Sequence, residues 1–295
     1  MLWILATLVA AGAQTARNAM QSSLTATLGT LGATQVRFVY GLPFAAAFLA
    51  LAAAVAGSGV PEPTSAFLAY TAAGATAQIA GTALLLAAMQ ARSFAVATTF
   101  NKTEAVQVAI FGVVLLGEHV TLAGAAAIVI ATAGVVLVAA KPGLKLGTAG
   151  LRPVVYGVAS GGCFAIASVG FRGGILELGG DAYYLRAAAT LVWALAFQAL
   201  MLGLWMTLFA RRALLSSLAL WRQSLVAGFF GAFASQFWFL GFSLTAAANV
   251  KALGLVEVVF AQVVAHRVFA ERATAREAAG MALVVAGVAL LLLAL

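Results

Sequence analysis

The sequence has little charge, one cysteine and two histidines. Charged residues make up 8% of its 295 residues, whereas soluble domains average about 25%. This shortage excludes a water-soluble globule. The single Cys163 excludes an internal disulfide, and its place within an apolar run predicts a role in helix packing. His119 and His266 lie far apart with no cluster of metal ligands around either, so we expect no metal site and no cofactor.

Two further signals are missing from the sequence. No phosphate-binding loop of the form G-x-x-x-x-G-K-[ST] occurs, which argues against ATP-driven pumping by this chain. The apolar N-terminus has no preceding basic region, so we expect a retained first helix rather than a cleaved signal peptide. The formal net charge is +8, but the basic residues stand singly or in small groups between apolar runs. This distribution indicates membrane topology, and no nucleic-acid partner is expected.

Long apolar runs fill the rest of the chain. Hydrophobic residues make up 64% of it, and a helix needs roughly 20 apolar residues to cross a bilayer. We therefore predict an all-α integral membrane protein with ten transmembrane helices. The polar stretch 141–151 predicts a linker between two five-helix halves, 1–140 and 152–295. The ten predicted segments are 1–20, 32–56, 66–90, 94–116, 121–140, 152–173, 182–209, 221–245, 249–269 and 274–295.

The second half of the chain repeats the first at an offset of 153 residues. Residues 98–139 align without a gap to 251–292, and ten of these 42 positions are identical. Because each half holds five segments, the second half is predicted to enter the membrane in the opposite orientation. Inverted repeats of this kind place substrate sites near the midplane and support alternating access. Four of the seven glutamates fall into matched pairs: Glu104 with Glu257, and Glu118 with Glu271.

The repeated residues also carry a family resemblance. The pattern is similar to the duplicated EamA-type domain of the drug/metabolite transporter superfamily, and within it most similar to YddG-like bacterial amino-acid exporters. It reads Glu104-x(13)-Glu118-x-x-Thr121 in the first half and Glu257-x(13)-Glu271-x-x-Thr274 in the second.

The sequence departs from this resemblance directly after the first glutamate of each copy. Many relatives carry proline there, whereas this chain has Ala105 and Val258. The sequence therefore gives no proline-based reason for a helix kink at these positions.

Threonines at the starts of segments five and ten are predicted to cap their helices. Thr121 and Thr274 each precede an apolar run, as N-cap residues do. Glu118 and Glu271, three residues earlier, are interpreted as structural. Ion pairs that form a gate are the alternative.

The basic residues predict which way the chain crosses the membrane. They concentrate at odd-numbered loops, so the positive-inside rule places those loops in the cytoplasm and both termini in the periplasm. The resemblance implies the opposite for many relatives. We adopt the orientation that the basic residues indicate. Those near odd-numbered loops are Arg17, Arg92, Lys141, Lys145, Arg152, Arg211, Arg212, Arg222, Arg267, Arg272 and Arg276.

Charged and amide side chains inside segments four and nine are the leading site candidates. A charge at the bilayer centre costs about 2.5–3.5 kcal/mol, so each one requires a reason. One interpretation is a site in which lysine holds a substrate carboxylate and glutamate holds an ammonium group or a proton. The other is a Lys–Glu pair, within or across the helices, that only stabilises the bundle. The candidates are Asn101, Lys102, Glu104, Asn249, Lys251 and Glu257.

Polar and aromatic residues of other segments form a second set of candidates. They line a polar cavity, or they make hydrogen bonds between helices. This set comprises Gln14 and Asn18 in the first segment, Gln78 and Thr82 in the third, and Gln236 with Trp238 in the eighth.

The resemblance implies a function that composition alone does not. We expect a secondary transporter, not an enzyme, that exports small metabolites, in particular amino acids including aromatic ones, across the bacterial inner membrane. Its partners are then a small-molecule substrate and the lipid bilayer. The sequence does not determine the oligomeric state, and a monomer is compatible with it. Sugars, nucleosides and drugs are alternative substrates. A channel and a membrane enzyme acting on lipid-linked substrates are the alternative classes.

Overall fold

The computed structural model describes residues 1–90, 100–139, 152–260, 262–263 and 274–294, without the side chains of 18–26, 30, 86, 88–90, 152 and 153. These residues form helices and connecting turns, and no strand occurs among them. The predicted linker 141–151 lies outside the described residues. The helices are α1 Leu2–Ala56, α2 Ser65–Gln90, α3 Glu104–Leu116, α4 Leu122–Ala139, α5 Arg152–Glu177, α6 Tyr183–Phe209, α7 Arg211–Ala219, α8 Trp221–Leu244, α9 Ala247–Gly254 and α10 Ala275–Leu293.

Several of these helices are long and apolar enough to cross a membrane. The described residues contain six such stretches, and α3 is a shorter apolar helix of 13 residues. This result confirms the prediction of a helical membrane protein. The six are Leu31–Ala56, Leu122–Ala139, Val154–Glu177, Tyr183–Phe209, Trp221–Leu244 and Ala275–Leu293.

Helix α1 covers the first two predicted segments with a kink between them. Gly29 adopts φ 66° and ψ 174°, a conformation that is essentially restricted to glycine because it has no Cβ. The second part of α1 ends at Gly57, which adopts the left-handed conformation that commonly terminates helices. The gap between the predicted segments 1–20 and 32–56 is therefore helical backbone with a kink rather than a loop.

The chain forms two compact units, and each unit takes segments from both halves of the sequence. The first unit contains Met1–Thr76 and Gly170–Thr245, and the second contains Ala77–Val169 and Ala246–Leu295. Helices α2 and α5 run from one unit into the other. The two compact units therefore do not coincide with the two halves of the sequence repeat.

In the first unit, α1 packs closely on α8 because small residues line the contact. A methyl group built on Gly228 would lie 2.6 Å from the backbone of Tyr40, so no larger residue fits without a shift. Beside this contact, aromatic rings of both helices meet edge to face. The ring centroid of Phe229 lies 5.3 Å from that of Phe44 and 6.5 Å from that of Phe48.

In the second unit, the equivalent helices α4 and α10 pack through a reciprocal glycine contact. A methyl group on Gly134 would lie 2.6 Å from the carbonyl oxygen of Gly280, and one on Gly287 would lie 2.8 Å from that of Ala127. Gly134 and Gly287 are equivalent in the repeat, and so are Ala127 and Gly280 (each pair 153 residues apart). Since the later residue of each helix meets the earlier one of its partner, α4 and α10 run antiparallel.

The two predicted threonine caps are present. Thr121 Oγ1 accepts a hydrogen bond from the backbone N–H of Gly124 at 3.0 Å, at the start of α4. At the start of α10, Thr274 and Glu277 form a reciprocal capping box. This confirms the interpretation of both threonines. The side chain of Glu118 folds against Gly112, and Glu271 lies outside the described residues.

Candidate functional site

Two lysine–glutamate ion pairs lie within the second unit. Lys102 Nζ is 3.0 Å from Glu257 Oε1 and donates a hydrogen bond to it. Lys251 Nζ is 2.8 Å from Glu104 Oε1. The pairs are crossed, because each lysine comes from one half of the sequence and its glutamate from the other. The structure therefore brings the four predicted charges together as two neutral pairs.

A tight turn interrupts the helix just before each glutamate of the crossed pairs. In these turns, a backbone N–H donates to the carbonyl three residues earlier instead of four, as in a 3₁₀-helix. The turns recur at the repeat offset of 153 residues. Two equivalent bonds have the same length, 3.1 Å, and join Thr103 N–H to Phe100 O and Val256 N–H to Leu253 O.

These 3₁₀ turns form without proline. Ala105 and Val258 follow the glutamates, and both retain a backbone N–H. The residues within the turns stay near helical geometry, with φ −68° and ψ −5° at Thr103 and φ −59° and ψ −17° at Leu255. The helix interruption that the missing prolines gave no reason to expect is therefore present, and it is a local tightening rather than a sharp bend.

A buried hydrogen-bond chain supports the first of these turns. Asn101 Nδ2 donates to Ser160 Oγ at 2.9 Å, and Ser160 Oγ donates to the carbonyl oxygen of Gly81 at 2.8 Å. A methyl group on Gly161 would lie 2.9 Å from the carbonyl oxygen of Asn101, so glycine permits α5 to approach this closely. Asn101 therefore holds the backbone next to Lys102. Ser160 was not among the predicted site residues, because a lone serine in an apolar helix resembles ordinary packing.

The crossed pairs are only partly shielded from solvent. The side chains are 32% exposed for Lys102, 19% for Glu257, 23% for Lys251 and 21% for Glu104. Fully buried charges could not be reached by a solute, whereas fully exposed ones would bind it weakly. Charges of both signs are thus partly exposed within one cluster.

The other candidates of the second unit have partners as well. The Thr82 hydroxyl donates to the carbonyl oxygen of Gln78 at 2.9 Å, one turn earlier in α2. Gln78 and Asn249 also have interaction partners. The Thr82 bond lies within α2 and does not join two helices, so the two predicted uses of these residues stay predictions.

The candidates of the first unit lie in two places. Trp238 Nε1 donates to Gln14 Oε1 at 3.0 Å, which joins α8 to α1. The Asn18 side chain lies outside the described set. Gln236 lines an apolar cavity of about 370 Å³, with a buried Oε1 that accepts no hydrogen bond from the described residues. The remaining lining residues are Phe48, Leu51, Ala52, Val55, Tyr184, Phe233, Phe237 and Leu240.

Two arginines of the first unit were not selected from the sequence as site residues. A methyl group on Gly231 would lie 3.1 Å from Arg37 Cγ and 3.9 Å from Arg17 Cδ, so both side chains lie against the same glycine of α8. The charge distribution places Arg17 near a loop, at the end of the predicted segment 1–20, and it lies within the helical backbone of α1.

Metal ligands do not gather in the described part of the chain. No group of three or more His, Cys, Asp or Glu side chains there is placed to hold a metal ion. His266 lies outside the described residues. The chemistry of the second unit is thus that of crossed ion pairs and amides.

Apolar membrane-length helices with paired charges among them define a multi-pass membrane protein. More particularly, the chain belongs to the EamA-like transporter family, whose model matches residues 1–140 and 155–293. This family belongs to the drug/metabolite transporter superfamily, and its members are transporters rather than enzymes. The protein is accordingly a membrane transporter of small molecules that lies in a lipid bilayer.

Similarity to individual proteins is limited to the fold. No curated protein matches the chain. A solved structure titled "Crystal structure of protein" superposes with a TM-score of 0.74 at 18% sequence identity, covering 99% of this chain and 94% of the other. The two proteins therefore have the same fold.

Proposed function

We propose that this transporter exports zwitterionic metabolites, amino acids including aromatic ones, across the bacterial inner membrane by alternating access. The crossed Lys–Glu pairs of the second unit carry this proposal. A zwitterion has one carboxylate and one ammonium group, so it replaces the internal partner of one lysine and one glutamate at once. The exchange leaves the net charge of the cluster unchanged, which keeps its cost low in a poorly hydrated environment.

The roles of the individual residues follow from this exchange. Lys102 and Lys251 bind the substrate carboxylate, and Glu104 and Glu257 bind its ammonium group. Asn101 positions the first lysine through its bond to Ser160. In the absence of substrate, the crossed pairs satisfy one another.

An alternating-access mechanism is proposed on the basis of the repeat. The halves 1–140 and 152–295, joined by the linker 141–151, are taken as inverted five-helix repeats that give ten transmembrane helices in all. The antiparallel contact of the equivalent helices α4 and α10 supports this arrangement, as do the matched 3₁₀ turns. Two related conformations then expose the site to opposite sides of the membrane.

Aromatic amino acids are included because the resemblance to YddG-like exporters implies them. The first unit also has, by itself, an apolar cavity of a size that suits an aromatic ring. Its lining contains three phenylalanine rings and Tyr184, and Gln236 Oε1 accepts no hydrogen bond from the described residues. Its volume of about 370 Å³ accommodates an aromatic side chain. Gln14 and Trp238 form a further polar contact within the same unit.

A flux assay in liposomes tests the proposed function. Purified protein is reconstituted, and efflux of labelled amino acids is measured with and without a pH gradient. We expect saturable flux of at least one amino acid, with at least a tenfold loss in Lys102→Met and Lys251→Met. The matched control Arg222→Gln, an exposed change in the first unit, should keep wild-type flux. Absence of flux for every amino acid would redirect the assignment to sugars, nucleosides or drugs.

The proposed orientation has a separate test. We propose that both termini face the periplasm, as the distribution of basic residues predicts. A C-terminal alkaline phosphatase fusion should then be active, and a fluorescent protein fused at the same place should stay dark. A fluorescent fusion that is bright, together with an inactive phosphatase fusion, would place the C-terminus in the cytoplasm and contradict the proposed orientation.

A further inference from the structure

The exposed charged side chains of the first unit are sorted by sign along α6. Glu62 and Asp181 line one surface pocket, and the exposed Glu177 lies four residues before Asp181. Helix α6 begins at Tyr183, just after these acids, and its 27 residues extend for about 40 Å. The exposed basic residues of the unit follow its other end. They are Arg211, Arg212 and Arg222.

Helix α7 joins two helices that are long enough to cross a membrane. Helix α6 ends at Phe209 and α8 begins at Trp221. With nine residues, α7 extends for only about 14 Å and is too short to cross. Ala210 and Leu220, which flank it, have non-helical backbone angles. Helix α7 therefore lies at the membrane surface, where the exposed rings of Trp205 and Trp221 suit the interface between lipid and water.

Contacts with α1 hold one side of α7 in place. Tyr40 Oη of α1 donates a hydrogen bond to the carbonyl oxygen of Leu218 at 3.1 Å. A methyl group built on Gly32 of α1 would lie 3.6 Å from the carbonyl oxygen of Ala213. Ser217, one turn after Ala213, is buried. Helix α7 is therefore a packed part of the first unit, with its other side turned outward.

The outer face of α7 combines positive charge with exposed apolar side chains. It consists of Arg211, Arg212, Leu215 and Leu218. Leu215 and Leu218 are 56% and 43% exposed, and they lie on one face with Arg211 because the spacings are four and three residues. Neither arginine forms a salt bridge with a described residue. The sequence also has no acidic residue from 182 to 256, so the chain places no carboxylate near this face along its length.

We propose that the outer face of α7 binds the headgroup of an anionic phospholipid. The phosphate supplies a negative charge to Arg211 and Arg212, and its oxygens match the N–H donors of a guanidinium group. The acyl chains supply the apolar contact for Leu215 and Leu218, as they do for amphipathic helices at membrane interfaces. The headgroup has to be anionic, because the choline of a zwitterionic lipid compensates its own phosphate. This site goes beyond the proposed transport function and involves neither lysine–glutamate pair.

A local lipid-binding assay on the full-length protein tests this site. The chain has one cysteine, so Cys163→Ser with Ser216→Cys places a single fluorophore on the exposed side of α7. The labelled protein is held in nanodiscs of phosphatidylcholine. Phosphatidylglycerol with brominated acyl chains, which quench the fluorophore, replaces part of this lipid in increasing mole fraction. We expect quenching that saturates at a low mole fraction, whereas brominated phosphatidylcholine should quench only in proportion to its abundance.

Substitutions distinguish a site on α7 from general surface charge. Arg211→Gln and Arg212→Gln should each raise the half-saturating mole fraction about fivefold, and the double variant about 25-fold, because a basic residue near an anionic membrane surface contributes about 1 kcal/mol. Lysine at both positions keeps the charge and should bind more tightly than the glutamine double variant. The matched control is Arg222→Gln, which removes the same charge outside α7 from a guanidinium stacked on Trp221 at 5.3 Å. It should keep the wild-type curve.

Four results would overturn the proposal. Equal quenching by the two brominated lipids would show that the face does not select anionic headgroups. An effect of Arg222→Gln as large as that of Arg211→Gln would show a diffuse attraction of surface charge. Loss of the saturating curve in inorganic phosphate, compared with chloride at the same ionic strength, would make a soluble anion the occupant. Quenching that depends on the number of protein copies per nanodisc would assign the face to a second copy of the chain.

Discussion

Neutralising one crossed ion pair separates its contribution to stability from its role in transport. The variants are Lys102→Met, Glu257→Gln and the double variant, which removes both charges while largely keeping side-chain length. Each single change leaves one charge without its partner in a cluster of intermediate exposure. The double change leaves no charge of this pair without a partner.

The structure gives the size of the expected effect. Two unit charges 3.0 Å apart attract by about 5 kcal/mol at an effective dielectric constant near 20. Desolvation offsets most of this, and the 32% and 19% exposure of the side chains adds screening by solvent. Exposed pairs contribute up to about 1 kcal/mol, whereas breaking a fully buried pair costs about 3–5 kcal/mol. We therefore expect each single variant to lose about 2 kcal/mol, and the double variant to lose about 2 kcal/mol as well.

The assay is a double-mutant cycle on the free energy of unfolding in mixed detergent micelles, followed by flux in liposomes. The expected coupling energy between Lys102 and Glu257 is about 2 kcal/mol, well above the roughly 0.5 kcal/mol scatter of independent sites. A control cycle on Glu62→Gln and Arg222→Gln should be additive. If the losses in free energy of unfolding of the two single variants add up in the double variant, Lys102 and Glu257 do not form a stabilising ion pair. A double variant that regains stability and also transports normally would refute the substrate role of these charges and leave the structural one.

Three further predictions concern positions that the packing and hydrogen bonds single out. Gly134→Ala should destabilise the protein by about 1–3 kcal/mol because the new methyl group overlaps α10. Gly12→Ala, with nothing within 4 Å of its methyl position, is the control and should not destabilise the protein in the same unfolding assay. Ser160→Ala should cost about 1–3 kcal/mol and lower flux, since it leaves the Asn101 amide without its hydroxyl acceptor and the Gly81 carbonyl without its side-chain donor. Unchanged flux and unfolding would show that this chain of hydrogen bonds is dispensable. Thr274→Ala removes the helix cap, so the free energy of unfolding should fall by about 0.5–2 kcal/mol. Flux per folded protein should stay unchanged. A loss of flux from fully folded protein would contradict a purely structural cap.

The sequence was sufficient to place the charges of the second unit near one another. A charge in an apolar segment needs a partner, and Glu104 and Glu257 hold the same position in the two repeats. Equivalent helices of a duplicated chain commonly meet around their symmetry axis, so equivalent charges meet as well. The threonine caps were also predictable, because capping depends on residues within a single turn.

The partner of each lysine was not predictable in the same way. The sequence allowed pairs within a helix as well as across helices, and the choice depends on how α3 and α9 pass each other. The 3₁₀ turns have no local signal either, since the proline that would announce them is absent. Their geometry differs from an α-helix by only a small change in backbone angles, which hydropathy does not register.

The arginine pair escaped prediction for a different reason. Hydropathy assigns a charged residue to a loop or to a segment end, because burying it alone is costly. Arg17 and Arg37 are far apart in sequence, and the residue that brings them together is a glycine on a third stretch of chain. Gly231 is one of 30 glycines, so nothing in the sequence distinguishes it.

The absence of proline from the 3₁₀ turns has a mechanical consequence. A proline kink is permanent, because the ring has no N–H with which to complete the helix. The residues at these turns keep their N–H groups, so each turn is able to revert to α-helix. Winding three residues from 3.0 to 3.6 per turn rotates the following helix by about 60° and shortens it by about 1.5 Å. We expect such a conversion in the second turn to rotate Glu257 relative to Lys251, because that turn lies between the two residues.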